Sequence, residues 1–131
     1  MLDADVIIRV LRGKSPSLVR RFQALQVDEA VLSVIVYGEL MVGVEKSSAP
    51  RQVDRATRAV IGEFEVLPLT VAAAREYASL RASLESAGNV ISPNDMWIAA
   101  HALAEGMTLV SANEDEFRRV PGLKFENWAR E

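Results

Sequence analysis

Apolar positions along the chain come in short blocks whose period switches between two residues and about three and a half. Leu2–Val6 predicts a strand running straight into a short helix, Val6–Leu11, which Gly13 stops. Ser15-Pro16 reads as an N-cap and first turn, and opens a helix to about Gln26. Ala30–Val34 is β-rich, and Ile35–Lys46 has helical period with Val36, Leu40, Gly43 and Val44 on one face. Pro50 opens a helix to about Glu63, Phe64–Leu67 is a strand, and Thr70 caps a long helix ending near Gly88. Asn94 or Asp95 begins a helix to Glu105, which Gly106 ends. Met107–Val110 is a strand, Glu114–Arg118 a short helical turn, and Leu123–Glu126 a last edge strand.

No linker, repeat or low-complexity tract interrupts this order, and 131 residues suit one compact α/β domain better than two. Alternating strands and helices predict a mainly parallel sheet with helices on both faces. In such sheets ligands bind beyond the carboxyl ends of the strands. Residues at strand-to-helix junctions are therefore the first candidates for chemistry.

Composition narrows that chemistry. Half of the residues are hydrophobic and a quarter charged, as expected of a globular protein with a real core. There is no cysteine and a single histidine, His101, which excludes disulfides and the usual zinc sites. A bound metal would need oxygen ligands, the preference of magnesium and manganese. The first residues, with Asp3, Asp5 and Arg9, do not resemble a secretory signal, and no apolar run approaches the roughly 18 residues that span a bilayer. A cytoplasmic location is expected.

The net charge of −3 is unevenly spread. Residues 1–21 hold five bases (Arg9, Arg12, Lys14, Arg20, Arg21) against Asp3 and Asp5, a local +3, so the remaining 110 sum to −6. An acidic protein is not an obvious nucleic-acid binder. The basic stretch offsets this, because it could meet phosphates beside an acidic centre; a solvated helix face would look the same.

Four acidic features stand where a carboxylate is not the cheapest choice. Asp3 lies among Leu2, Val6, Ile7 and Ile8, and a lone buried carboxylate there must find a partner or protonate. An N-cap at the strand-to-helix junction is the plainer explanation. Glu39 sits roughly 60° from Val36 and 40° from Gly43, on the flank of the apolar stripe, whereas Glu45 faces solvent. Asp95 opens a helix that is apolar nearly all round, where capping alone would justify it. Ser111-Ala112-Asn113-Glu114-Asp115-Glu116 follows a strand directly and supplies a hydroxyl, an amide and three acids. If these features converge they need a cation, since two bare carboxylates about 4 Å apart repel by roughly 4 kcal/mol at an effective dielectric of 20. No Ser-His-Asp pattern, Cys-His pair or Gly-rich phosphate loop competes.

Taken together, these segments resemble PIN-domain ribonucleases, and in particular the VapC-type toxins of toxin–antitoxin systems. Met1-Leu2-Asp3-Ala4-Asp5-Val6-Ile7-Ile8 resembles the family's opening strand, and Ser33-Val34-Ile35-Val36-Tyr37-Gly38-Glu39-Leu40 its second motif. Pro93-Asn94-Asp95-Met96-Trp97-Ile98-Ala99 is similar to the third. Leu109-Val110-Ser111-Ala112-Asn113, Glu116-Phe117 and Val120-Pro121-Gly122-Leu123 resemble the C-terminal part. The resemblance implies a PIN-like three-layer α/β/α sandwich and an endoribonuclease dependent on Mg²⁺ or Mn²⁺. It also implies inhibition by a VapB-type antitoxin, and a homodimer. Asp3, Glu39 and Asp95 would hold the metal by the family pattern.

Two departures from that pattern stand out. Asn113 occupies a position where many PIN domains have Asp, so a fourth acid must come from Asp115 or Glu116, with Glu116 favoured. Asp5 stands where the family usually has Asn, while Ser111, where Thr is common, keeps the hydroxyl. Asp5, Ser111, Asn113 and Asp115 are thus candidates for supporting roles. These departures keep open a PIN-like module that binds RNA or a partner without cutting. A haloacid-dehalogenase-like phosphotransferase is a further alternative from Asp3-Ala4-Asp5, weakened by the scarcity of lysines. His101, roughly 240° around the helix from Asp95, reads as a packed, hydrogen-bonded core histidine rather than a catalytic one.

Overall fold

A computed structural model of the chain describes residues 1–129. Eleven elements follow in order: α1 (Ala4–Arg12), α2 (Pro16–Gln23), β1 (Val31–Ser33), α3 (Val34–Glu45), α4 (Pro50–Ile61), β2 (Glu65–Leu67), α5 (Val71–Ser86), α6 (Pro93–Glu105), β3 (Leu109–Val110), α7 (Glu114–Phe117) and β4 (Phe125–Glu126). A 3-10 turn at Val27–Glu29 leads into β1.

The strands are short and all parallel. β1 pairs with β2 with Val31 opposite Glu65, and β3 pairs with β4 with Leu109 opposite Phe125. Leu2 joins the two pairs: it bridges Val110 in parallel and donates its N–H to the Val31 carbonyl at 3.0 Å. The spatial order is therefore β4, β3, the Leu2 segment, β1, β2. The Val110 N–H bonds to the Met1 carbonyl at 2.8 Å and the Asp3 N–H to the Val110 carbonyl at 2.9 Å. Asp3 and Ser111 thus leave the sheet side by side at its carboxyl edge.

The predicted strand over Leu2–Val6 is reduced to that one bridge, because α1 begins at Ala4 and Asp3 is its N-cap. Val6 and Ile7 are buried from the helix instead, together with Leu2, Leu18, Leu32, Ile98, Leu109 and Phe117. Each such side chain removed from water contributes roughly 1.5–3 kcal/mol, which lets strands of two or three residues persist. Gly13 and Gly106 both adopt left-handed φ angles, 63° and 65°, and end α1 and α6 where the sequence places the stops.

Other boundaries shift by one to three residues. α2 ends at Gln23 rather than Gln26, α4 at Ile61 rather than Glu63, and Val34 starts α3 rather than closing β1. β3 and β4 are trimmed at their amino ends relative to expectation, and α7 stops at Phe117. Ser15 is the N-cap residue of α2, yet its hydroxyl makes no capping bond. Ser92, not Asn94 or Asp95, caps α6, with Pro93 in the first turn. That correction matters, because it frees the Asp95 carboxylate from capping. α5 packs along α6, where the rings of Tyr77 and Trp97 stack with centroids 3.7 Å apart.

Candidate metal centre

The acids gather at the carboxyl edge of the sheet through separate local devices. Asp3 is only 6% exposed. One carboxylate oxygen accepts the Ala4 N–H at 2.8 Å and the other the Ser111 hydroxyl at 2.8 Å. The same hydroxyl lies 3.3 and 3.4 Å from the two Asp5 oxygens, and the Ala112 N–H donates to Asp5 at 3.1 Å. Ser111 Oγ in turn accepts the Asn113 N–H at 3.0 Å. A single buried hydroxyl therefore ties the end of β3 to both acids of α1.

Asn113 ties the other side. Its amide nitrogen donates to Asp95 at 3.2 Å and to Glu116 at 3.4 Å. Asp115, the other candidate for a fourth acid, is exposed, whereas Glu116 is half-buried. Glu39 is half-buried on α3, beside the stripe formed by Val36, Leu40 and Val44, and Glu45 is exposed. One Glu39 oxygen, Oε1, is buried without a hydrogen-bond partner.

Electrostatics bind these groups into one unit. Burial, then the negative charge of Asp5, pushes Asp3 up to about 7, with Glu39 adding to the effect. Asp95 is pushed up to about 8 by burial, by the hydrogen bond it makes to Glu116, and by the charges of Asp3 and Glu116. Glu116 is held low by the same hydrogen bond, so Asp95 keeps the proton and Glu116 the charge. Glu39 and Asp5 are also raised, in each case first by burial; an Asn94 side-chain bond opposes the shift at Glu39, and the Ala112 N–H and Arg9 oppose it at Asp5.

Among the described residues no three acids are already gathered as a ready-made metal cage. The residues nonetheless fit a hard divalent cation. The donors are all carboxylate oxygens, one of them is buried without a hydrogen-bond partner, and burial and neighbouring negative charge raise Asp3 and Asp95 above the usual carboxylate range. Asp3 feels the charge of Glu39, and Asp95 that of Asp3 and Glu116, which makes Asp3, Glu39 and Asp95 the candidates to share an ion.

Two contributors were not singled out from sequence. Asn94 bonds the Glu39 side chain, and Ser92 both caps α6 and favours the charged form of Glu116 through its backbone. Ser92-Pro93 repeats the Ser15-Pro16 pattern, which is the signal that would have found the cap. His101 stays outside the cluster. It is fully buried, its Nδ1 lies 2.8 Å from the Ser33 hydroxyl, and its Nε2 makes no hydrogen bond of standard geometry. Burial lowers its pKa, against the opposing influence of Glu105 and the Pro68 carbonyl, so the ring is neutral.

Comparison with known proteins agrees with this architecture. The chain is 33% identical over 129 residues to a Rickettsia felis protein named Ribonuclease VapC2, covering 98% of this chain and 96% of that protein. It is 34% identical over 128 residues to the tRNA(fMet)-specific endonuclease VapC of Salmonella typhimurium, covering 98% and 96%. A chain in the crystal structure of DNA-bound VapBC from Salmonella typhimurium superposes with a TM-score of 0.90 at 34% identity, over 98% of this chain and 96% of that one. The chain in VapBC2 from Rickettsia felis, bound to a promoter DNA fragment, gives 0.88 at 32%, over 98% and 97%. The PIN domain profile matches residues 1–123. A parallel sheet with acids crowded at its carboxyl edge and relatives alike along almost their whole length lead to one assignment: the chain belongs to the PIN domain family.

Proposed function

We propose that this protein is a VapC-type endoribonuclease toxin, dependent on a divalent cation and neutralised by a cognate VapB-type antitoxin. The observation that carries the metal site is the buried Oε1 of Glu39, which has no hydrogen-bond partner, on a side chain whose charge is coupled to those of Asp3 and Asp5. Relatives named as ribonucleases, and solved as VapBC complexes, support the toxin and its partner. The 131 residues act as one nuclease domain in this reading, and a homodimer is its expected assembly.

Asp3, Glu39 and Asp95 hold the ion, Mg²⁺ or Mn²⁺. When bound, the ion supplies a water of lowered pKa and neutralises charge building on the phosphate. Ser111 keeps Asp3 aimed, and the Asn113 amide holds Asp95 and Glu116 at a fixed separation. Glu116, charged at neutral pH, accepts a hydrogen bond from the attacking water. Water adds across a P–O bond of the RNA backbone, and the departing ribose oxygen leaves with a proton. Asn113 serves as a donor between two acids rather than as a missing ligand.

Cleavage of a panel of transfer, ribosomal and messenger RNAs with Mg²⁺ or Mn²⁺ tests this reading, with Asp95→Asn alongside. The wild type cuts and the folded variant does not. Equal cleavage by both removes Asp95 from the mechanism, and no cleavage of any RNA leaves only a binding module.

A further inference from the structure

Arg9, Arg12 and Lys14 stand exposed around the carboxyl end of α1 and line a cleft of about 300 Å³ with Asp5 and Ile8. A second groove, of about 380 Å³, runs between α1, α3 and α4 and contains Glu39 and Leu40. Ile8 and Arg12 belong to both. The basic cleft therefore continues into the groove that holds one acid of the metal centre, while its other wall carries Asp5.

Arg12 and Lys14 take part in no ion pair among the described residues, and Arg9 acts only on Asp5. By contrast, Arg21 of the same basic stretch is occupied by Glu126 at 3.6 Å and by the Trp128 ring at 4.5 Å. The negative end of α1 accounts for Arg9 and Arg12 in its last turn, but not for Lys14 beyond the Gly13 cap. A protein of net charge −3 that keeps three cations together beside its acids presents a place for an anion.

We propose that the Arg9–Arg12–Lys14 cleft binds the sugar–phosphate backbone of the RNA next to the scissile phosphate, and that the apolar wall at Ile8 and Leu40 receives a base. This rests on the nuclease reading. The cations offset the repulsion between the acidic centre and a polyanion, and they fix the direction in which the strand leaves the site.

Anisotropy of a fluorescent mixed-sequence single-stranded RNA in EDTA reads binding without cleavage. Arg12→Ala with Lys14→Ala is expected to raise Kd roughly tenfold and to cut the slope of log K against log salt by about 1.4, near 0.7 per phosphate contact. Arg55→Ala, an exposed α4 cation lining neither cleft, is expected to change little. Unchanged Kd and slope in the double variant, or an equal loss in Arg55→Ala, overturns the cleft while cleavage by the wild type leaves the nuclease standing. RNA binding that depends on Arg12 and Lys14 in a protein that cuts nothing keeps the cleft and sinks the nuclease.

Discussion

The Ser111 hydroxyl donates to Asp3 at 2.8 Å across 108 positions of sequence and sits within 3.4 Å of Asp5 as well. One buried oxygen therefore decides where the end of β3 stands relative to both acids of α1. Ser111→Ala removes the donor that favours the charged Asp3. Partners of metal-ligating groups typically cost 10–100-fold on removal, so about tenfold or more Mn²⁺ is expected to be needed for half-maximal cleavage. Ser111→Thr keeps the hydroxyl and is expected to stay near wild type. A metal titration of cleavage for the three proteins checks this.

Stability without metal is expected to fall as pH rises. Asp3 and Asp95 have folded-state pKa values of about 7 and about 8, above the ordinary carboxylate value of 3.8. A raised carboxyl pKa favours the fold below the unfolded value, and that contribution is lost as pH climbs through the folded one. In EDTA, Tm is therefore expected to decline from pH 5 to pH 8, most steeply between about 5 and 7, and to level off above pH 8. Saturating Mn²⁺ at pH 8 restores it, because the ion binds the native state. A Tm that rises over this window contradicts the electrostatic picture.

Asp95→Asn should separate stability from function. The variant loses cleavage, yet in EDTA at pH 8 its Tm is expected to equal or exceed that of wild type, since one charge of the cluster is gone. Circular dichroism melts beside the RNA assay give both numbers.

Asn113→Asp is expected to weaken the metal-free fold. It loses two hydrogen bonds to carboxyl groups, worth about 1.5–3 kcal/mol each when charged, and adds a like charge. Its loss of stability at pH 8 should be offset by Mn²⁺ to a larger extent than in wild type.

His101→Ala should act through packing. The residue is fully buried and joins α6 to Ser33 at the start of α3, so truncation is expected to cost about 3 kcal/mol of stability. The pH profile of cleavage by the remaining folded protein should not move; a lost limb near neutrality would assign the ring a chemical role instead.

Much of this architecture was legible in the sequence. The Val36–Leu40–Val44 stripe, the Gly13 and Gly106 stops and the Thr70 cap follow from period and backbone preference, and each stands where expected. Leu2–Val6 misled because an apolar run of five satisfies a strand or a buried helix start equally well, and only the Asp3 cap decides. Asp95 looks like a cap because it opens an apolar helix, whereas the Ser92-Pro93 pair three residues earlier is the true start of α6. The relay from Ser111 to Asp3 and from Asn113 to Asp95 and Glu116 could not be read at all, since it depends on how parallel strands bring distant junctions together.

Anomalous diffraction from crystals soaked in Mn²⁺ at pH 8 tests the shared metal site most directly. An anomalous peak ligated by Asp3, Glu39 and Asp95 is the expected result. Fully occupied lattice sites elsewhere, with these three carboxylates bare and turned apart, would contradict it.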